Sequence, residues 1–262
     1  MFNKVISFFG VEVSHKRIEN PVNTVYYNHM HDHAEMVLFL SGNVEFNVDG
    51  KLFKPQPFDL LFIPSAVYHH ALPTGNTPYE NYVIDFIPSL IENEKHLETL
   101  FSTPLILNVK EEQEVLNFFS RLDFYFENYS EEDFNTSAFY LIKELIIYCS
   151  YMVENGVKVK SGKHTHLEEI IKFINQNLEK KLDALVIAKA FNFSKSYVQN
   201  IFSANMKIGL KKYVMQKKIY AAKADLDLGL SASAVCEKYC FYDYSVFYRN
   251  YKKTFKRSPK NR

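Results

Sequence analysis

Residues 232–254 read ASAVCEKYCFYDYSVFYRNYKKT and decide the fold of the C-terminal part of this chain. An earlier stretch, residues 184–206, reads ALVIAKAFNFSKSYVQNIFSANM and repeats the pattern 48–49 residues upstream. Each copy predicts a short helix, a tight turn and a second helix whose exposed face is polar. This is the sequence form of a helix-turn-helix, and a tandem pair points to DNA.

The charges of the chain are divided between its two halves. Residues 1–162 hold 11 Lys and Arg against 22 Asp and Glu, whereas residues 163–262 hold 20 against 8. The net charge of the whole chain is only +1, so the basic charge is concentrated on the segment that contains the repeat. A basic segment attracts phosphate with a salt-dependent affinity. A basic domain that is merely soluble is the alternative interpretation.

The length and composition favour two globular domains inside a cell. The chain has 262 residues, of which 47% are hydrophobic, and it has no apolar run long enough to span a membrane. Its first residues lack the features of a secretory signal. The cysteines are Cys149, Cys236 and Cys240, an odd number that we interpret as reduced, small core residues. We therefore expect a cytoplasmic protein with no membrane partner.

The period of the apolar residues changes along the chain. Short β-branched and aromatic runs predict strands at 22–30, 34–40, 44–48, 60–63 and 82–86, with hairpin turns at 41–43 and 49–50. Helical periodicity then predicts helices at 111–128, 132–154, 165–178, 183–191, 194–206, 209–228, 232–239 and 243–254. The polar residues 156–164 predict a flexible linker between domains 1–155 and 165–262.

Residues 165–262 resemble the AraC/XylS family of bacterial transcription regulators. The most specific part of the match contains Phe241, Asp243, Ser245, Phe247, Arg249, Tyr251, Lys252, Lys253, Ser258 and Pro259. Three positions depart from the family, which places glycine where this chain has Lys207, Cys240 and Lys256. A lysine with a left-handed backbone costs about 1 kcal/mol or more relative to glycine, so the two helices that precede Lys207 and Lys256 are expected to end differently from those of the family.

The resemblance, together with helix geometry, assigns a set of side chains to DNA. We predict that Tyr197, Val198, Ile201 and Phe202 face inward in the first recognition helix, and that Val246, Phe247 and Tyr251 do so in the second. The predicted DNA-binding residues are Ser194, Lys195, Ser196, Gln199, Asn200, Tyr244, Ser245, Tyr248, Arg249, Lys252 and Lys253. Gln199 and Asn200 suit adenine, Arg249 suits guanine, and Lys252 and Lys253 suit phosphate. A solvated helix face is the alternative for any one of them.

The N-terminal half carries a second pattern, which resembles the two motifs of the cupin superfamily. The first motif is His29-x-His31-x-x-x-Glu35, and the second is Pro64-Ser-Ala66-Val-Tyr68-His69. Ala66 and Phe58 stand where glycine is usual in the family. The resemblance implies a small β-barrel in which His29, His31, Glu35 and His69 converge.

The converging side chains have two uses that the sequence leaves open. Three imidazoles and a carboxylate suit a divalent metal such as Mn, Fe, Ni or Zn, which is the one cofactor that the pattern suggests. The same four residues, with Tyr68, would alternatively line a pocket for a small organic effector, and His33 and His70 are secondary candidates. A third interpretation is a polar barrel mouth without a ligand.

The fold class expected from these patterns is α+β, with a cupin barrel and trailing helices followed by an all-α domain of two helix-turn-helix units. The leading functional prediction is a sequence-specific transcription regulator that is not an enzyme and that is controlled by a small molecule in the barrel. The resemblance suggests a sugar or related metabolite as this effector. The expected partners are promoter DNA, the effector and a second copy of the chain, with RNA polymerase as a further candidate. The alternatives are a metal-dependent cupin enzyme with a basic helical appendage and a regulator without a ligand.

Overall fold

A computed structural model describes residues 6–21, 29–160 and 165–259, and the chain divides into two units at residues 163 and 164. Among the described residues, the first unit contains the strands, three α-helices and a short 3-10 helix (Pro88–Leu90), and the second unit contains only helices. This is the α+β class expected from the sequence. Most of the strand predicted at 22–30 lies outside the described residues.

The described residues of the first unit contain ten strands, which form two antiparallel sheets. The strands are β1 (Ile6–Phe8), β2 (Val11–Ile18), β3 (Ala34–Ser41), β4 (Val44–Val48), β5 (Lys51–Phe53), β6 (Asp59–Ile63), β7 (His69–Pro73), β8 (Tyr79–Phe86), β9 (Leu105–Asn108) and β10 (Val159–Lys160). The larger sheet has the order β1-β2-β8-β3-β6-β9-β10, and the smaller has the order β5-β4-β7. The two sheets form the barrel that the cupin resemblance implies.

Side-chain alternation gives the larger sheet two buried faces. Met36 and Leu38 on β3 point into a core that the sheet shares with the helices, whereas Val37 and Phe39 point into a core that it shares with the smaller sheet. Successive side chains of a strand point to opposite faces, so each strand contributes to both cores. The barrel interior therefore lies between the sheets, and the helices cover the outside of the larger sheet.

Three helices of the first unit pack on the sheet: α1 (Glu94–Phe101), α2 (Gln113–Asn128) and α3 (Glu131–Glu154). The Ser130 hydroxyl oxygen accepts a hydrogen bond from the backbone N–H of Asp133 and so caps the start of α3. Gly156, with φ +86°, follows the end of α3, where glycine adopts a left-handed backbone without steric cost. No helix in the described part of the chain is long and apolar enough to cross a membrane.

Two sequence predictions for the first unit are wrong. The turn at 41–43 does not join a hairpin, because β3 and β4 belong to different sheets, and Gly42 (φ +124°) passes close to the backbone of Tyr79 as the chain crosses between them. In addition, Val159 and Lys160 are not a flexible linker but a strand paired with β9. Lys160 Nζ lies 2.7 Å from the buried carboxylate of Asp59, which holds this strand on the sheet.

The second unit contains six helices among its described residues: α4 (His166–Gln176), α5 (Ala184–Phe191), α6 (Lys195–Met206), α7 (Leu210–Asp227), α8 (Ala232–Lys238) and α9 (Tyr244–Phe255). The pairs α5–α6 and α8–α9 are the two predicted helix-turn-helix units, and the 18-residue α7 joins them. The Thr165 hydroxyl oxygen accepts a hydrogen bond from the backbone N–H of Glu168 and so caps the start of α4.

Capping side chains repeat with the helices and explain why the same fold forms twice. Asp183 caps α5, and Ser231 caps α8 at the equivalent place, 48 residues later. Ser194 caps α6, and Asp243 caps α9, 49 residues later. In each case a side-chain oxygen accepts a backbone N–H that the first turn of the helix leaves without an intrahelical partner. The start of each helix is therefore set by local chemistry that the sequence displays.

Every position where the family resemblance expects glycine and this chain has another residue adopts a left-handed backbone. The φ values are 68° at Phe58, 57° at Ala66, 54° at Lys207, 50° at Cys240 and 57° at Lys256. The helices α6 and α9 thus end at their lysines in the way that glycine would allow. The chain keeps the family geometry at these turns and accepts the steric cost of a Cβ atom.

Candidate functional site

Four predicted ligand residues meet in the barrel of the first unit. His29, His31, Glu35 and His69 each offer one ligand atom, and these atoms all lie within 4.8 Å of one another. Two backbone hydrogen bonds between His29 and His69, of 3.0 and 3.2 Å, bring these two residues together. Glu35 enters from β3, with its Oε2 atom 2.8 Å from Nε2 of His69 and 3.5 Å from Nε2 of His31.

Backbone carbonyl groups orient two of the imidazoles. Nδ1 of His31 lies 3.0 Å from the carbonyl oxygen of His33, and Nδ1 of His69 lies 3.0 Å from that of Val67. Each Nδ1 donates to its carbonyl, which leaves Nε2 directed at the centre of the cluster. In metal-binding proteins, a hydrogen bond from the ring nitrogen that does not bind the metal orients the histidine in the same way. The donor atoms and their orientation therefore fit a divalent cation.

The cluster lies in a strongly perturbed electrostatic environment. Burial alone would raise the pKa of Glu35, but the charge and hydrogen bonds of the His69 and His31 imidazoles hold it well below its ordinary value. Burial lowers the pKa of His31, and the nearby carboxylates of Glu35 and Asp85 more than offset this and raise it. Burial and the charge of Glu35 raise the pKa of Asp85 to about 7. Perturbation of this kind is typical of binding sites.

A cavity of about 530 Å³ opens beside the cluster. It is lined by His29, Glu35 and His69 together with residues from β2, β4, β7 and β8. Its size is within the range of pockets for small organic ligands. Among the secondary candidates, His70 lines the cavity, whereas His33 lies near His31, with 5.9 Å between the ring centroids.

Tyr68 and His31 are placed differently from the other predicted pocket residues. Tyr68 is buried just before β7 and is outside the lining of the cavity, although sequence reasoning placed it in the pocket. His31 is also outside the lining, and its Nε2 lies 3.5 Å from Oε2 of Glu35 and 3.6 Å from Oδ1 of Asp85, both of which line the cavity. Conversely, Lys16, Asn81 and Asp85 line the cavity and were missed, because their positions depend on how strands far apart in sequence pair.

The second unit presents the predicted polar residues on its surface. In α6, Val198, Phe202 and Met206 form the buried side. The exposed side contains Lys195, Ser196, Gln199, Asn200 and Ser203. A pocket of about 670 Å³ lies beside this face and extends to the start of α7. It is lined in part by Lys195, Gln199, Asn200 and Ser203. Polar side chains that share one exposed helix face suit insertion into a groove of DNA.

The second recognition helix has the same organisation and more positive charge. Phe247 and Tyr251 are buried in α9, and Val246 is half-buried. Tyr244, Ser245, Arg249, Lys252 and Lys253 are exposed, and Tyr248 is half-buried. No hydrogen bond or ion pair within the described residues holds the guanidinium of Arg249. Its planar group is therefore available for a ligand outside the chain.

Tyr197 corrects the predicted orientation of one side chain. It does not face inward, because 39% of its surface is exposed. Its ring packs against Phe193, with 4.8 Å between centroids, and its hydroxyl group lies 3.0 Å from Nδ1 of His166. Helical periodicity misplaced Tyr197 because it stands in the first turn of α6, beside the aromatic residue of the preceding turn.

Some of the basic charge in this unit is structural and does not face a ligand. Lys218 is only 5% exposed, and its Nζ donates to the backbone carbonyl groups of Lys180 and Tyr239, both at 2.7 Å. Burial lowers the pKa of its ammonium group. Lys238 Nζ pairs with Asp225 at 2.8 Å. The count of basic residues in the sequence therefore overstates the charge that DNA would meet.

Comparisons with known families agree with this organisation. Residues 18–85 match the family model of a cupin domain, and residues 187–261 match that of a helix-turn-helix domain of the AraC type. The chain therefore contains a cupin domain and a helix-turn-helix domain. Both family resemblances drawn from the sequence are thus confirmed, and the helix-turn-helix domain is of the DNA-binding kind found in transcription regulators.

Solved structures that match this chain have low sequence identity to it. A fatty-acid-bound structure of ToxT from Vibrio cholerae is 10% identical, with 96% of this chain and 94% of that chain covered and a TM-score of 0.40. Another ToxT structure is 12% identical, with coverage of 95% and 96% and a TM-score of 0.39. The C-terminal domain of the response regulator yesN from Fusobacterium nucleatum is 24% identical over 35% of this chain and 91% of that chain, with a TM-score of 0.33.

Proposed function

We propose that this protein is a one-component transcription regulator, which binds promoter DNA through both helix-turn-helix units and is controlled by a small molecule in the cupin cavity. The observation that carries the proposal is the repeated presentation of polar side chains on the exposed faces of α6 and α9. A cavity beside a perturbed cluster in the other unit supplies the control site. Neither feature is needed to build a core.

The side chains of the two recognition helices have distinct roles in this proposal. Gln199 and Asn200 each carry the amide that pairs with adenine in the major groove, and Arg249 carries the fork that pairs with guanine. Lys195, Lys252 and Lys253 supply phosphate contacts that set affinity without reading sequence. Ser194, Ser196, Tyr244, Ser245 and Tyr248 complete the contact surface.

The helix α7, which joins the two helix-turn-helix units, sets the spacing of the two recognition elements in the DNA site. The 18 residues of α7 make a rod of roughly 27 Å. One turn of B-DNA spans about 34 Å, so a connector of this size suits recognition helices in neighbouring major grooves on one face of the duplex. We infer an operator with two short recognition elements about ten base pairs apart.

Control by an effector requires two arrangements of the molecule that bind it with different affinity. An effector in the barrel shifts the balance between these arrangements only by its differential affinity for them. We propose that the two arrangements differ in how they present the helix-turn-helix units to promoter DNA, with RNA polymerase as the downstream partner. The proposed activity is binding and regulation, without catalysis.

The cluster in the barrel fits a divalent cation such as Mn, Fe, Ni or Zn. His29, His31, Glu35 and His69 would hold it, and the cation would supply a Lewis-acidic centre for oxygen atoms of an effector. Asp85, 3.6 Å from His31, faces the same cluster and would accept a hydrogen bond from a ligand group there. The site then serves recognition and not turnover.

We further propose that the protein is a homodimer that associates through α3. Tyr140, Ile147 and Tyr151 are at least half exposed, and their spacing of seven and four residues places them in one stripe along this 24-residue helix. An apolar stripe with this spacing is the seam of a two-helix coiled coil. The stripe can pack against the same stripe on a second copy of the chain, as a two-fold symmetric interface requires.

Selection of DNA from a random pool tests the proposed function. The purified protein should enrich sequences with two recognition elements about ten base pairs apart. Gln199→Ala and Arg249→Ala should each relax selection in a different one of these elements. A pool that shows no enrichment after repeated rounds would contradict a sequence-specific regulator.

A metal-dependent cupin enzyme is the second candidate, and the geometry of the His-Glu cluster favours it. An enzyme of this kind has no use for two recognition helices with exposed polar faces. The candidates are separated by one comparison, in which the metal-loaded protein is tested for enrichment of DNA sequences and for turnover of small oxygenated substrates. Turnover without enrichment would support the enzyme.

A further inference from the structure

The register of three strands arranges the side chains of the barrel interior in rows. Across β2, β8 and β3, Glu12 stands opposite Asp85, which stands opposite Glu35. Four residues further along β2, Lys16 stands opposite Asn81 on β8. These positions are separated by an even number of residues on each strand, so all five side chains point to the same face of the sheet.

The two ends of the cavity differ in charge. One end contains Glu35, Asp85 and the histidines of the cluster. The other contains the half-buried Lys16, for which the described residues provide no ion pair. Four residues of strand place the two rows about 13 Å apart along the sheet, so the ammonium group does not belong to the cluster.

The surroundings of Lys16 are polar and held in place. The side-chain amide of Asn81 donates a hydrogen bond of 2.7 Å to the hydroxyl oxygen of Tyr79, and both side chains line the cavity. The wall between this end and the cluster is formed by the apolar Val37, Val83 and Phe46. The cavity thus has a cationic end, an apolar middle and an end suited to oxygen atoms.

We propose that the cavity takes a short linear organic acid, whose carboxylate pairs with Lys16 and whose far end places an oxygen-bearing group at the His-Glu cluster. This inference rests on the proposed effector function and gives the chemical class of the effector. An anion that enters an apolar-walled cavity needs a charged partner, and Lys16 is that partner. A neutral sugar, which the family resemblance suggests, would leave Lys16 unused and would place hydroxyl groups against the apolar middle.

A titration series with matched neutral compounds tests the proposal. Glutarate, adipate, pimelate and suberate are titrated by isothermal calorimetry into the full-length protein loaded with Zn²⁺, whose charge would offset the carboxylates of Glu35 and Asp85 at the far end. The corresponding diamides are the uncharged partners of equal length. At least one diacid should bind, and its diamide should bind at least about tenfold more weakly, because a hydrogen bond to a charged group is lost.

Variants of Lys16 test whether its charge contributes to the affinity for the diacid. Lys16→Met keeps the length of the side chain without its charge and should weaken binding of the same diacid at least about tenfold. Lys16→Arg keeps the charge and should restore binding to within about threefold of wild type. Lys54→Met, which removes an exposed lysine outside the cavity lining, is the matched control and should bind as wild type does.

The proposal is overturned if no diacid binds at 10 mM, roughly the weakest affinity that a functional site would use. It is also overturned if diamides bind as well as diacids, or if Lys16→Met binds as well as wild type. Specific DNA binding is measured for the same proteins in the same buffer. Retained DNA specificity without binding of any diacid would refute only the effector class, whereas absent DNA specificity would refute the proposed function itself.

Discussion

Oε2 of Glu35 lies 2.8 Å from Nε2 of His69, and both atoms belong to a four-residue cluster whose ligand atoms are within 4.8 Å of one another. We expect the protein to bind one Zn²⁺ per chain at this cluster. His69→Ala and Glu35→Gln should each weaken zinc affinity about 100-fold or more, as measured by competition with a zinc-binding dye. Imidazole must lose its proton to bind metal, and the pKa of His31 is raised above its ordinary value of about 6.5, so the affinity should already begin to fall at a pH above about 6.5.

The control for the zinc measurement is His166→Ala, which changes a histidine of the other unit and should leave zinc affinity unchanged. A wild-type protein that takes up no zinc would contradict this prediction. So would variants of Glu35 and His69 that bind zinc as tightly as wild type does.

Arg249 and Lys252 are exposed on the same helix, and their replacement by alanine should affect DNA binding in different ways. Arg249→Ala should cost about 1–3 kcal/mol on the preferred DNA site and little on random DNA, because a base contact is lost. Lys252→Ala should weaken binding to both and reduce the salt slope by about one unit, because a phosphate contact is lost. Fluorescence anisotropy on both DNAs over a salt series makes the comparison. Equal loss on both DNAs for Arg249→Ala would show that its guanidinium contacts only phosphate.

Replacing Lys207, Cys240 or Lys256 by glycine should stabilise the folded protein. With φ values of 54°, 50° and 57°, these residues hold a left-handed backbone conformation in which a Cβ atom is sterically crowded. Replacement by glycine should raise the free energy of unfolding by about 1 kcal/mol at each position, after the greater freedom of glycine in the unfolded chain is subtracted. Urea denaturation followed by circular dichroism measures the change.

The matched control is Lys253→Gly, at an ordinary helical position of α9, which should lose about 1 kcal/mol. Asn192→Gly, at φ 56°, should change stability less than the lysine replacements, because asparagine tolerates this conformation. Destabilisation at Lys207 and Lys256 equal to that at Lys253 would contradict the assignment of backbone strain.

Ile147 is half exposed in the centre of the α3 stripe and should control dimerisation. Ile147→Glu should convert the dimer to a monomer at micromolar concentration, because two buried carboxylates would then face each other. Analytical ultracentrifugation measures the change, with Phe124→Glu, an equally exposed site on α2, as the control. A wild-type protein that is monomeric at 100 times the concentration used for DNA binding, or an Ile147→Glu variant that stays dimeric, would refute the α3 interface.

The parts of the fold that local chemistry determines were predictable from the sequence. Helix caps and turn residues stand next to the helices that they begin or end, as Ser194 and Asp243 show, and the predicted helices from α2 onward match the structure within a few residues. Strand β2 was missed although the alternation of Val11, Val13 and His15 is typical of a strand. The strand Val159–Lys160 was not visible, because two residues carry no period and their pairing with β9 is non-local.

The candidate sites divide in the same way. His29, His31 and Glu35 are close in sequence and form a motif, so their convergence with His69 was expected. Lys16 and Asn81 are brought together only by the pairing of β2 with β8, which the sequence does not specify. Lys218 counted as a basic residue in the sequence, but its carbonyl partners, on Lys180 and Tyr239, lie 38 and 21 residues away. Side chains whose role depends on distant partners require the structure.

Binding of the full-length protein to the DNA upstream of its own coding sequence, compared with random DNA across a salt series, tests the central claim most directly. The account predicts a preference on the order of a thousandfold or more for one upstream site, which persists as salt weakens both complexes. Equal affinity for both DNAs at every salt concentration would show that the basic unit binds only phosphate, and would contradict a sequence-reading regulator.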